Sequence, residues 1–320
     1  MGKYDLIKTP EKVIEGYADG SIQGSLRDPA SLERFLASSS TPVFEASAWQ
    51  LSGTGAGKTS LPFKFAVHFH EQFGPNEPQT TGDCVSHAVR NVGFVDHTVD
   101  AGQRRVQYCG AIFATENIYG WRGHSGQGAS CSTLAAYVNS EGGIGGYLPR
   151  AMYEDGRNRV DLSVYDSSIG HNWGRSRTPS WLNDIADDHA ADYVSLVSTI
   201  EGARDAIANG YCIAACSGLG FSNRRDALGV AKRSGSWAHA MAWVGCIDDP
   251  TDEAYKWARG PLFLIQNSWG KWNSGPRRHE QPEGSFWVTW RDAQSILAAR
   301  GAFAIGKTKF TRRNLSYMLI

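Results

Sequence analysis

The sequence predicts a mixed α+β protein, on three observations. Helix signals occur at residues 28–38 and again from Cys84 onward. Alternating or unbroken apolar runs of strand type dominate 234–246 and 263–267. With 41% apolar residues over a length of 320, the chain can bury a sizeable core, as one large domain or two modest ones.

The 32 basic and 32 acidic residues cancel. A neutral chain supplies no long-range field, so neither nucleic acid nor a membrane is expected as partner, and Lys307, Lys309, Arg312 and Arg313 are too few to change that. No apolar run approaches a membrane span. Residues 1–20 lack the apolar stretch of a secretory signal, and Leu6 stands where a myristoylation signal after Gly2 needs Ser or Thr. A cytoplasmic setting, or a particle assembled in the cytoplasm, is therefore expected. The six cysteines, Cys84, Cys109, Cys131, Cys212, Cys216 and Cys246, are irregularly spaced, which predicts no disulfide framework, no zinc site and a reducing environment.

In chain order, "RDPASLERFLA" predicts a helix with Asp28 as N-cap, Pro29 at the first position, and Leu32, Phe35 and Leu36 on one face. "SSSTP" at 38–42 reads as a linker. Residues 1–45 are then an arm, a short pro-segment or a docking element, and 46–320 the main domain. "LSGTGAGKTS" at 51–60 looks like a phosphate-binding loop, but Ser52 stands where the first glycine belongs, and "FKFAVHF" after it alternates like a strand. A turn leading into that strand is the better reading, with His68 and His70 on one strand face and no third metal ligand beside them. The acidic run Asp184, Asp187, Asp188 and Asp192 lacks a calcium loop's glycine and terminal glutamate, so it predicts a solvated helical face.

Three distant segments carry the chemistry. In "QTTGDCVSHAVRNV" (79–92), Gly82 and Asp83 make a turn and N-cap, which puts Cys84 at a helix N-terminus where the dipole favours a thiolate. Gln79 stands upstream as a donor for a developing oxyanion. In "SGSWAHAMAWVGC" (234–246), Trp237, His239, Met241 and Trp243 share the bulky face of a buried strand. In "FLIQNSWGKWNSG" (263–275), a strand ends at Asn267, which can hold one imidazole tautomer while Trp269 shields that bond.

In the order Cys, His, Asn, the segments "GDC", "HAMAWVG" and "NSWG" resemble the papain-like cysteine peptidases, loosely over residues 60–306. "GASCSTLAAYVNSEGGI" is placed like that family's helix after the cleft glycines. "STIEGARDAIANGYCIAACS" predicts a helix with a Ser198/Glu201 capping box, an Asn209-Gly210 stop and a following strand, and "GSFWVTW" a closing strand. The resemblance implies a helical subdomain, a β-rich, barrel-like subdomain, and a cleft between them. It implies Cys84 as nucleophile, His239 as general base and acid, Asn267 as its orienting partner, and Gln79 in the oxyanion hole. No cofactor or metal is implied, and the substrate would be a protein or peptide.

Departures from the family are plain. Gln79 is five residues before Cys84 where six is common, Thr81 replaces a disulfide cysteine, and His87 replaces an aromatic and is read as a packing residue. Residues 246–262 form an insertion, "GHSGQGAS" matches the cleft glycines loosely, and no long pro-region is recognisable.

One alternative keeps the fold as a structural or docking component of a virus particle or other assembly, with a partner held through the N-terminal arm. Another, a transglutaminase-like enzyme, would want an acid at Asn267. An active peptidase requires Cys84 and a His239 ring nitrogen facing an open cleft. A blocked cleft, or a His239 ring packed away under Trp269, favours the structural component.

Overall fold

A computed structural model of the chain describes residues 9–70, 73, 77–106, 110–142 and 145–315. Gly2, Leu6, Cys109 and the Gly143-Ile144 pair lie outside them.

The first part is mainly helical: α1 (Pro10–Ala18), α2 (Pro29–Ser38), α3 (Phe44–Ser47), a short β1 (Thr59–Ser60), α4 (Phe63–Phe69), α5 (Cys84–Arg104), α6 (Glu116–Gly120) and α7 (Cys131–Tyr137). A small hairpin, β2 (Met152–Asp155) with β3 (Asn158–Asp161), precedes α8 (Ser167–Ser176) and α9 (Asn183–Asp187). The rest is built on strands: β4 (Tyr193–Leu196), α10 (Ile200–Ala208), β5 (Ile213–Arg225), β6 (Ala231–Ile247), α11 (Glu253–Ala258), β7 (Leu262–Gln266), β8 (Phe286–Thr289), α12 (Trp290–Leu297) and β9 (Ala302–Gly306). The sheet is antiparallel in the order β4-β9-β5-β6-β7-β8, with β1 on β6. Irregularities between β5 and β6 shift their register beyond Ser217, which bends this long pair.

Helix α5 is the spine of the molecule. Val85, Val89, Val92, Val95 and Val99 are all buried, and the helix packs against both β5 and β6. Helix α2 forms as the sequence predicts, with Asp28 accepting from the Ser31 N–H. Strands β6 and β7 cover the predicted runs, and β8 covers most of "GSFWVTW".

Four expectations need correction. "FKFAVHF" is helix α4, not a strand: Phe63, Phe65 and Ala66 are buried while Val67 and His68 face out, so His68 and His70 share no strand face. The cap of α10 is Thr199, whose Oγ1 accepts from Gly202 N; Glu45 Oε1, from the distant α3, takes the N–H groups of Ser198 and Thr199 in place of a local capping box. Asp83 occupies the N-cap position of α5 without capping it, because its carboxylate accepts from the Tyr165 hydroxyl (2.7 Å) and lies 3.5 Å from His87 Nε2. Last, Cys131 and Cys216 form a disulfide, while Cys84, Cys212 and Cys246 are free and buried.

The loop at 51–60 holds carboxylates where a phosphate would sit. Asp205 accepts from Gly53 N and Gly55 N, Asp248 accepts from Gly57 N, and Lys58 donates back to Thr54 O. Its amides serve to pin α10 and the end of β6.

Candidate active site

Cys84 opens α5 and points at β6, where the Ala240 N–H donates to its sulfur at 3.2 Å. Beside Ala240, His239 donates from Nε2 to Asn267 Oδ1 at 2.7 Å. The same oxygen accepts from Ser268 N at 2.7 Å, which fixes the amide's orientation and so places the imidazole proton on Nε2. His239 Nδ1 is buried with no hydrogen-bond partner among the described residues. The ring stacks on Trp269, 4.6 Å between centroids and 29° between planes, and Trp237 and Trp272 pack around Trp269. Trp269 therefore lies over the ring without turning it from Asn267.

Gln79 reaches the same place. Its backbone N–H donates to Ser268 O at 2.9 Å and its Oε1 accepts from Ser268 Oγ, so Nε2 is turned inward, donating to Thr81 O at 2.7 Å and to the Tyr17 hydroxyl at 3.3 Å. The segment leading to Gln79 is anchored by buried charge. Glu77 takes Arg90 (3.1 Å) and Arg150 (2.7 Å), and Arg150 also reaches Glu116 (3.2 Å), which is almost wholly buried. The structure thus brings together all five residues singled out by sequence: Cys84, His239, Asn267, Gln79 and Trp269.

Tyr17 is the participant the sequence does not disclose. Its ring packs edge-on against His239 at 4.7 Å, and its hydroxyl accepts from Gln79 Nε2 and lies beside the Cys84 sulfur. Residues 22–26 then cross the cleft. Gly24 N and Ser25 N both donate to Ala238 O on the sheet side (2.9 Å each), while Ala129 N donates to Gly24 O (2.9 Å) and Leu26 N donates to Ala129 O (2.8 Å) on the helical side. A Cβ on Gly24 would lie 1.8 Å from the Tyr17 hydroxyl oxygen and 2.6 Å from Cys84 Sγ, so no other residue lets the chain pass here. The cleft is blocked by the chain's own arm.

This cover sets the charge state. Burial pushes the Cys84 thiol up to about 12, against the pull of Tyr17 and of the Ala240 N–H, and burial likewise pushes His239 down to about 4, against the pull of Asn267. Under the arm the two are neutral thiol and neutral imidazole. The helix dipole expected to favour a thiolate is outweighed by the loss of water. No group of three or more His, Cys, Asp or Glu among the described residues is placed to hold a metal ion.

Procathepsin B S9 from Trypanosoma congolense has a similar structure, with a TM-score of 0.50 at 10% identity over 90% of this chain and 87% of that one. The fold is that of the papain-like cysteine proteases. Digestive procathepsin L 3 of the Tenebrio molitor larval midgut matches with a TM-score of 0.47 at 13% identity, over 92% of this chain and 87% of that one. Xylellain, a cysteine protease from Xylella fastidiosa, matches with a TM-score of 0.47 at 16% identity, over 73% and 82%. No protein-family model matches the sequence, and no curated protein matches it. In this papain-like fold the helical part carries Cys84, strand β6 carries His239, and Asn267 follows the end of β7.

Proposed function

We propose that the chain is a papain-like thiol peptidase held in a blocked state by residues 1–45, which act as a short pro-segment. The observation that carries this reading is the Tyr17 hydroxyl, an oxygen that accepts from Gln79 Nε2 and lies beside Cys84 Sγ. A peptide carbonyl oxygen polarised during acyl transfer would need that same position.

With the arm displaced, water returns and His239 Nδ1 takes the Cys84 proton, its Nε2–H held on Asn267. The thiolate attacks the carbonyl carbon of a peptide bond. The negative oxygen accepts from Gln79 Nε2, whose second hydrogen stays on Thr81 O, and from the Cys84 N–H at the head of α5. His239 then passes its proton to the leaving amine, giving a thioester that water hydrolyses by the same route.

A second reading, a dormant domain serving as a component of a larger assembly, is favoured by one observation, the blocked cleft. Iodoacetamide labelling at mildly acidic pH separates the two, read by mass spectrometry on the full chain and on chain cut between residues 27 and 42. Slow labelling of Cys84 in the full chain, fast labelling after the cut, and loss of the fast reaction in His239→Ala are expected. A folded, cut chain whose Cys84 reacts no faster than an ordinary thiol would overturn the peptidase and leave the assembly component.

A further inference from the structure

The disulfide joins the two walls that grip the arm. Cys131 begins α7, two residues after Ala129, the helical-side position bonded to Gly24 and Leu26. Cys216 lies in β5 opposite Ala240, and its neighbour Ser217 lies opposite His239. Residues 24–26 are therefore strung between Ala129 and Ala238, and the cross-link beside them fixes the separation of those two anchors. A segment held at two points keeps its grip while both points stay in register, and loses most of it when one shifts.

Both sulfur-bearing residues also line an open cavity of about 640 Å³, bounded by α2 and by residues 298–301. Leu32 and Leu36 of α2 reach this cavity, and Arg27, Glu33 and Arg300 at its edge are exposed to solvent. Cys131 and Cys216 are themselves 4% and 9% exposed and both line this cavity. The free thiols Cys212 and Cys246 are more deeply buried and do not line it.

We propose that Cys131–Cys216 is a reversible thiol–disulfide exchange site, reached by a small thiol through this cavity, and that opening it releases residues 24–26 from the cleft. The inference rests on the arm being the element that blocks Cys84. A thiolate attacks one sulfur of the pair, the S–S bond breaks, and the other cysteine leaves as thiolate. A second thiolate attacks the mixed disulfide and expels the first cysteine. Two electrons pass from two small thiols to the protein, the small disulfide departs, and the two cysteines take up the protons the thiols released. The reducing conditions that keep Cys84 a free thiol would then also uncover it.

Hydrogen exchange on the intact, folded chain tests this without using Cys84 reactivity. In millimolar dithiothreitol, with the state of each cysteine checked by mass spectrometry, the amides of residues 22–28 should exchange roughly tenfold faster than in the oxidised chain. The Cys131→Ser/Cys216→Ser variant should exchange at the fast rate with or without reductant. Unchanged protection after the bond is shown to be open overturns the proposal, and so does a bond that stays closed in the folded protein. If the double variant fails to fold, the reductant series on the unaltered chain decides alone. An inert Cys84 combined with redox-dependent protection would sink the peptidase reading and leave this one standing.

Discussion

Tyr17 shows how much one side chain adds at the residue scale. Removing its hydroxyl in Tyr17→Phe deletes the bond from Gln79, worth about 1 kcal/mol net. Labelling of Cys84 by iodoacetamide in the full chain should therefore rise roughly fivefold. Tyr17→Ala, which also removes the ring packed on His239 and Trp269, should raise it further. Asn267→Ala acts in the opposite direction, because His239 Nε2–H loses its acceptor and the tautomer is no longer fixed. In arm-cut chain the same labelling should fall about tenfold or more, from a loss of roughly 1–3 kcal/mol of imidazole positioning. An unchanged rate would show that Asn267 does not orient the ring. Cys84, His239 and Asn267 are legible in sequence because each stands in a short local pattern: a turn before a helix, an alternating strand, a strand end. Tyr17 is not, since nothing local to "EGYADG" says where the chain goes next.

The balance shifts among the elements, where period and length decide what can be read. Strand β6 keeps its alternation over many residues and was plain; α4 spans Phe63–Phe69, and so short a run fits both periods. The cap of α10 shows the same limit, its second partner being Glu45 from another helix. The Cys131–Cys216 pair, 85 residues apart, is likewise made by the fold and not by spacing. The Glu116 charge has no local signature either, yet it accepts from Thr115 N, Asp166 N and Arg150 while almost wholly buried. Glu116→Ala leaves Arg150 with Glu77 as its carboxylate partner and strips the buried Thr115 N–H and the Asp166 N–H of their acceptor, and should cost about 2–3 kcal/mol, read as a lower urea midpoint. A midpoint shift under about 1 kcal/mol would show that water or Glu77 takes up the loss.

Across the whole molecule, the proposed docking of the arm is linked to protons. Beneath the arm the pair holds one proton, on Cys84, and burial pushes His239 from its ordinary 6.5 down to about 4, against a second. Near neutral pH the open pair also holds one proton, on sulfur or on the imidazole, so docking has its full strength there. As pH falls toward 4 the open pair gains a second proton that the docked pair refuses, and docking weakens. Protection of residues 22–28, corrected for intrinsic exchange, should thus be lower at pH 4.5 than at pH 7. Protection that is equal or higher in acid would refute the linkage.

Gly24 and Tyr17 belong to the same polypeptide as Cys84, joined to it through residues 27–42, and that continuity has a consequence for concentration. A plug carried in cis faces its site at a fixed local density, on the order of millimolar for a short tether, whatever the protein's own concentration. Diluting the sample cannot free the cleft. Once the tether is severed, the fragment becomes an ordinary ligand whose occupancy follows its abundance, and a nanomolar solution would hold it far less than a crowded one.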